Sequence, residues 1–148
     1  MTITELEERL KNCKDLVDPQ ENLTEEDKEA IISTVFFCHP NVLYMYETTH
    51  HNMHKIKIQR EWLFKITKDY ESYNLIVDLS RSKPPSAEIR EGIKTFLSDK
   101  MNRIYIYIGS NVLLKLAAKF ILYSVFKDMD YKFVSSREEA LKLSTNDS

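Results

Sequence analysis

At 148 residues the chain has room for one domain with a core of its own and little room for a second. Hydrophobic residues at 43% and charged residues at 30% exclude a disordered or collagen-like polymer, and a net charge of −2 excludes the broad basic field of a general nucleic-acid binder. The charge is unevenly spread. Residues 1–30 hold ten acids and four bases, net −6, which leaves thirteen acids and seventeen bases, net +4, in residues 31–148. Residues 1–30 therefore read as an acidic helical N-terminal extension on a domain that occupies residues 31–148; it either lies across the basic remainder or, the favoured expectation, is a solvated or weakly docked arm.

In chain order, residues 4–17 place Leu6, Leu10, Leu16 and Val17 near helical spacing, and Pro19 ends the run. Thr24 followed by Glu25, Glu26 and Asp27 matches a helix N-terminus, where a hydroxyl cap and early acids suit the exposed N–H groups. Residues 33–38 and 42–47 are rich in β-branched and aromatic side chains around His39-Pro40-Asn41, which predicts two strands joined by a turn. Residues 48–54 are polar and predict a loop, after which Ile58, Trp62, Leu63 and Ile66 fall on one side of a helix.

The second half alternates regularly. Residues 75–79 form a buried-type strand, and Ser86 caps a helix with Ile89, Ile93, Phe96 and Leu97 on its apolar side. In residues 103–108, Ile104, Ile106 and Ile108 point one way and Tyr105 and Tyr107 the other, so both faces of that strand should be covered. Gly109-Ser110-Asn111 turns the chain into a helix over residues 112–126, residues 131–134 form a last strand, and a capped helix begins at Ser136. Strand and helix in alternation predict an α/β fold: a mixed, mostly parallel sheet of four or five strands, preceded by an antiparallel hairpin.

Several phrases, in this order, resemble the STAS superfamily, in particular its SpoIIAA-like branch, over residues 42–144. They are Leu75-Ile76-Val77-Asp78-Leu79-Ser80, then Ser86-Ala87-Glu88-Ile89-Arg90-Glu91 opening a helix, the strand at Ile104–Ile108, and Phe133-Val134-Ser135-Ser136-Arg137-Glu138-Glu139-Ala140-Leu141. The resemblance implies a sheet with packed helices and no catalytic machinery, acting as a protein-interaction or regulatory module. It also implies a switch serine at the start of the helix after the second of these strands. Ser86 is the matching hydroxyl and the candidate phosphorylation site, although the loop reads Lys83-Pro84-Pro85-Ser86, with Pro85 where an acid would stand.

Three regions hold candidate functional residues. The loops after the parallel strands bring Asp78, Ser80, Arg81 and Ser86 together with Gly109, Ser110 and Asn111 at one sheet edge, the usual crevice of open α/β sheets, where helix N-termini favour an anion. Against this, Ser86, Ser110 and Asn111 also serve simply as caps. The helix at 112–126 is apolar over a wide arc that includes Leu113, Leu116, Phe120 and Tyr123, with a thin stripe of lysines. Such an arc is either wrapped internally or is an interface for a protein partner, a second copy as a homodimer, a lipophilic ligand or an anionic membrane surface. The carriage of a lipophilic small molecule, as in CRAL-TRIO-like relatives, is the alternative function.

His50, His51 and His54 cluster locally, with His39 nearby if the hairpin strands pair, yet no cysteine pair or zincin phrase accompanies them, and they read as a solvated loop. An enzyme built on these imidazoles and Asp78 is the weakest reading, so the sequence predicts no catalytic residue, metal or cofactor. Gly92 inside a helix predicts close packing, and Gly109 a turn of unusual φ. Two distant cysteines, Cys13 and Cys38, and the lack of a basic-then-apolar leader predict a cytoplasmic setting. The most apolar run, broken by Lys115 and Lys119, is shorter than the ~20 residues of a bilayer span.

Overall fold

The computed structural model describes residues 1–16, 22–49, 52–83, 86–110, 115, 116, 119 and 127–146. Its elements are α1 (Ile3–Lys11), α2 (Glu25–Ile32), β1 (Val35–His39), β2 (Val42–Tyr46), α3 (Met53–Ile66), β3 (Tyr73–Asp78), α4 (Ala87–Lys94), β4 (Met101–Tyr107), β5 (Tyr131–Val134) and α5 (Arg137–Asn146). The five strands lie in the simple order β1-β2-β3-β4-β5, with β1 antiparallel to β2 and every later pair parallel. The α/β class, the leading hairpin and the mostly parallel mixed sheet thus follow the pattern read from the sequence.

This strand order has a consequence for the two faces. Parallel neighbours joined in sequence by right-handed crossovers place all their connecting helices on one side. Accordingly Ile56 and Leu63 of α3 and Ile89 of α4 pack with Leu43, Met45, Leu75, Ile104, Ile106 and Ile108 in one core. The opposite face, with Phe36, Tyr44, Ile76 and Tyr105, must be covered from elsewhere in the chain, and Leu6 and Leu10 of α1 and Ala140 of α5 do so. Ile104 and Ile106 against Tyr105 and Tyr107 divide between the two cores as their alternation predicts.

Covering the second face decides between the two dispositions expected for the N-terminal extension: α1 is docked, against the favoured expectation of a solvated or weakly docked arm. Leu6 is fully buried, and the Arg9 guanidinium lies 3.8 Å from the centre of the Phe36 ring. The acids of α1 occupy its outer side, so a strongly acidic composition coexists with a docked apolar stripe. Both N-terminal helices begin with reciprocal capping boxes, Thr2 with Glu5 and Thr24 with Asp27.

A second correction concerns α3, which starts at Met53 behind an Asn52 cap, inside the stretch read as a loop. His54 is therefore helical and exposed. His39 pairs with Val42 at the start of β2, whereas His54 follows the end of that strand. The hairpin thus separates these two imidazoles to opposite edges of the sheet, where they do not meet. His50 and His51 lie outside the described residues, as do Asn111, Leu113, Phe120 and Tyr123. Of the predicted helix over 112–126, Lys115, Leu116 and Lys119 are described, and all three are helical and exposed.

The glycines behave as expected. Gly109 has φ +79°, and a methyl group on Gly92 would come within 3.2 Å of Ile56 and Met53, so α3 and α4 approach closely there. Among the described residues no helix is long and apolar enough to cross a membrane.

Candidate functional site

Four parallel strands deliver their C-terminal ends to one edge of the sheet, and the buried Thr48, Lys55, Gln59 and Asp78 gather there. β2 ends in Tyr46 opposite Asp78, the last residue of β3, and Asp78 in turn stands beside Tyr107, the last residue of β4. By strand alternation Asp78 shares its face with Ile76, so its side chain lies on the side covered by α1 and α5. It is completely buried.

The Asp78 carboxylate is fully committed. Its Oδ2 accepts the Tyr44 hydroxyl and the Nε–H of Arg137, the latter at 2.8 Å. Its Oδ1 accepts the Ser80 backbone N–H at 3.0 Å and the Ser80 hydroxyl at 2.6 Å. Four donors match the roughly four acceptor positions that a carboxylate offers. The Arg137 Nη2 also donates to Ser80 Oγ at 3.1 Å, which closes the ring, and its guanidinium lies 5.2 Å from the centre of the Tyr107 ring.

Burial raises the Tyr44 hydroxyl well above its usual pKa, and the charge of Asp78 adds to the shift, so Tyr44 stays a proton donor. Burial works against the charged form of Arg137, but the hydrogen bond and charge of Asp78 more than offset it and keep the guanidinium ionised. Arg137 stands in the first turn of α5, where the helix dipole favours acids. Its pairing with Asp78 accounts for a cation at that position.

A second cluster borders the first. After β2, Glu47 and Thr48 face Lys55 and Gln59 of α3. The buried Lys55 ammonium donates to Thr48 Oγ1 and lies 3.9 Å from Glu47 Oε2. Gln59 donates to Thr34 Oγ1 at 3.1 Å and to Glu47 Oε1 at 3.4 Å. Burial lowers the pKa of Lys55, opposed by the charges of Glu47 and Asp15.

Asp15 enters this edge from the segment after α1. One of its oxygens accepts the Thr49 backbone N–H at 2.8 Å; the other accepts the Thr49 hydroxyl at 2.7 Å and faces Arg81 Nη2 at 3.4 Å. Partial burial works to raise the Asp15 carboxyl. The two Thr49 hydrogen bonds and the charges of Arg81 and Lys55 outweigh it and hold the group below the ordinary carboxylate value. The Arg81 side chain is 59% exposed, so the ion pair itself is worth about 0–1 kcal/mol.

The residues predicted for this edge divide into three groups. Asp78 and Ser80 belong to the closed ring, with Gly109 packed beside Ser80. Arg81 and Ser110 are exposed on the rim. Ser86 caps α4, its Oγ accepting the Ile89 N–H at 3.3 Å. Leu116, predicted for the apolar interface, is 61% exposed. Tyr44, Arg137, Lys55, Glu47, Gln59 and Asp15 are absent from the sequence-based site. Only Arg137 carried a local signal, a cation in a first turn. Among the described residues no group of three or more His, Cys, Asp or Glu side chains is arranged to hold a metal ion. No family model, curated protein or solved structure matches the chain.

Proposed function

We propose that this protein is a non-enzymatic, STAS-type, SpoIIAA-like interaction module of the cytoplasm that binds a protein partner, or a second copy of itself, through the C-terminal edge of its parallel strands. The observation that carries this reading is the saturation of Asp78. The acid best placed for chemistry at that edge has both oxygens occupied by Tyr44, Arg137 and Ser80, an arrangement that fixes the edge instead of leaving a group to react. A hydrogen-bonded ring under a rim of exposed polar groups, Arg81, Lys83 and Ser110, suits surface recognition. The free thiols of Cys13 and Cys38, the latter pushed up to about 11 by burial, fit a reducing compartment.

Affinity capture combined with light scattering tests the proposal: a specific protein partner or a dimer is expected. A strictly monomeric protein without a partner would count against it. Native mass spectrometry of freshly purified protein addresses carriage of a lipophilic molecule, since a retained hydrophobic adduct would favour the carrier over the interaction module.

A further inference from the structure

The contacts of Asp15 describe a receptor as much as a bond. Thr49 offers a backbone N–H to one oxygen and a hydroxyl to the other, and Arg81 approaches the second oxygen from the rim. Two neutral donors and a cation arranged around both oxygens of one carboxylate form a two-point recognition pattern. The receptor and its occupant come from different parts of the fold: Thr49 follows β2 and Arg81 follows β3, whereas Asp15 lies 34 residues from Thr49 on the segment after α1. The walls are fixed, since Thr48 is buried and held by Lys55, and Ser80, next to Arg81, is held in the Asp78 ring. The occupant is less firmly held, because its side chain is 32% exposed and its cationic partner is mostly in solvent.

We propose that the Thr49–Arg81 notch is a binding site for a carboxylate on an acidic peptide segment of a partner, and that Asp15 fills it from within as an intramolecular competitor. Displacement of Asp15 frees the notch, and the tether sets the threshold. A group carried on the same chain competes at an effective concentration that is in the millimolar range even for a short flexible linker, so a lone external carboxylate competes poorly, whereas a partner with further contacts on the rim succeeds. The inference rests on the proposed function for the choice of working edge and for the partner that carries the carboxylate; carboxylate binding at the notch itself stands apart from it.

The test is a ¹H–¹⁵N NMR titration of the full chain, in its natural form and as Asp15→Ala and Asp15→Asn. The probes are sodium acetate, sodium phosphate and a capped peptide of residues 12–16, with sodium chloride at matched ionic strength as the control for screening. For both variants a saturable shift of the Thr49 amide is expected, with half-saturation roughly tenfold below that of the natural chain. The peptide is expected to bind more tightly than acetate, and adding Arg81→Ala to Asp15→Ala should raise half-saturation again. Folded variants without a saturable Thr49 shift would overturn the proposal, as would saturation by phosphate alone. Loss of the fold in both variants would also overturn it, since a displaceable occupant cannot be what holds the domain together. Carboxylate binding in a protein that captures no partner would sink the interaction module and leave the notch standing; partner capture without carboxylate binding would do the reverse.

Discussion

Replacing Arg137 by Met should destabilise the domain severely, because it strands the buried Asp78 carboxylate. Removing one partner of a buried ion pair costs about 3–5 kcal/mol. Two features place this site at the lower end. The Arg137 side chain keeps 23% of its surface in solvent, and Asp78 retains its bonds from Tyr44 and Ser80 after the guanidinium is gone. The expected loss is therefore about 3 kcal/mol, equivalent to roughly 6–12 °C in Tm for a domain of this size. Urea unfolding followed by the emission of Trp62 provides the assay, since its indole N–H bonds Val35 O at 2.9 Å and should report the packing of α3 on β1. Pairing the change with Asp78→Asn in a double-mutant cycle isolates the coupling, and the double variant should lose clearly less than the sum of the two single variants. A loss below about 1 kcal/mol with no coupling would refute the reasoning, and Asp78 would again be a candidate for direct ligand chemistry.

Three further outcomes follow from the same geometry. Leu6→Ala should cost about 2–5 kcal/mol by chemical denaturation, whereas a solvated N-terminal arm would leave stability unchanged. Gly109→Ala should cost about 1–2 kcal/mol although the nearest atom to the new methyl group is 3.7 Å away, because the penalty lies in the φ of +79° and not in space; a neutral result would contradict the turn geometry. Lys55 titrates below its ordinary 10.5 in the folded state, so the unfolded chain binds that proton more tightly and Lys55 makes stability rise with pH up to that value. Lys55→Met should remove this rise, so that the natural chain gains on the variant as pH climbs toward 10.5 in paired urea titrations. Parallel stability curves would contradict the assignment.

The strands were legible because their residue types and alternation act locally. Ile104, Ile106 and Ile108 against Tyr105 and Tyr107 specify a doubly covered strand without reference to the rest of the chain. The start of α3 was hidden because its buried stripe consists of Lys55, Ile56, Gln59 and Leu63, two of them polar, and hydrophobic periodicity registers only the later turns. In α1 the acids masked a stripe of Leu6 and Leu10 whose burial depends on a sheet face built by residues far along the chain. The Asp78 ring was unreadable for a related reason: Tyr44 stands 34 residues before Asp78 and Arg137 stands 59 after it, and neither spacing has meaning until the parallel register brings them together. The notch at Thr49 is built the same way, from three loops that only the fold makes neighbours.

The claim on which the account turns is that the C-terminal edge of the parallel strands is the working face. The most direct measurement is the dissociation constant of the partner, or of the dimer, for the natural chain, for Arg81→Glu on that edge and for Lys68→Glu beyond the end of α3 at the opposite edge. The account predicts a loss of about tenfold or more for Arg81→Glu and a change within about twofold for Lys68→Glu. Equal effects, or a loss confined to Lys68→Glu, would contradict it.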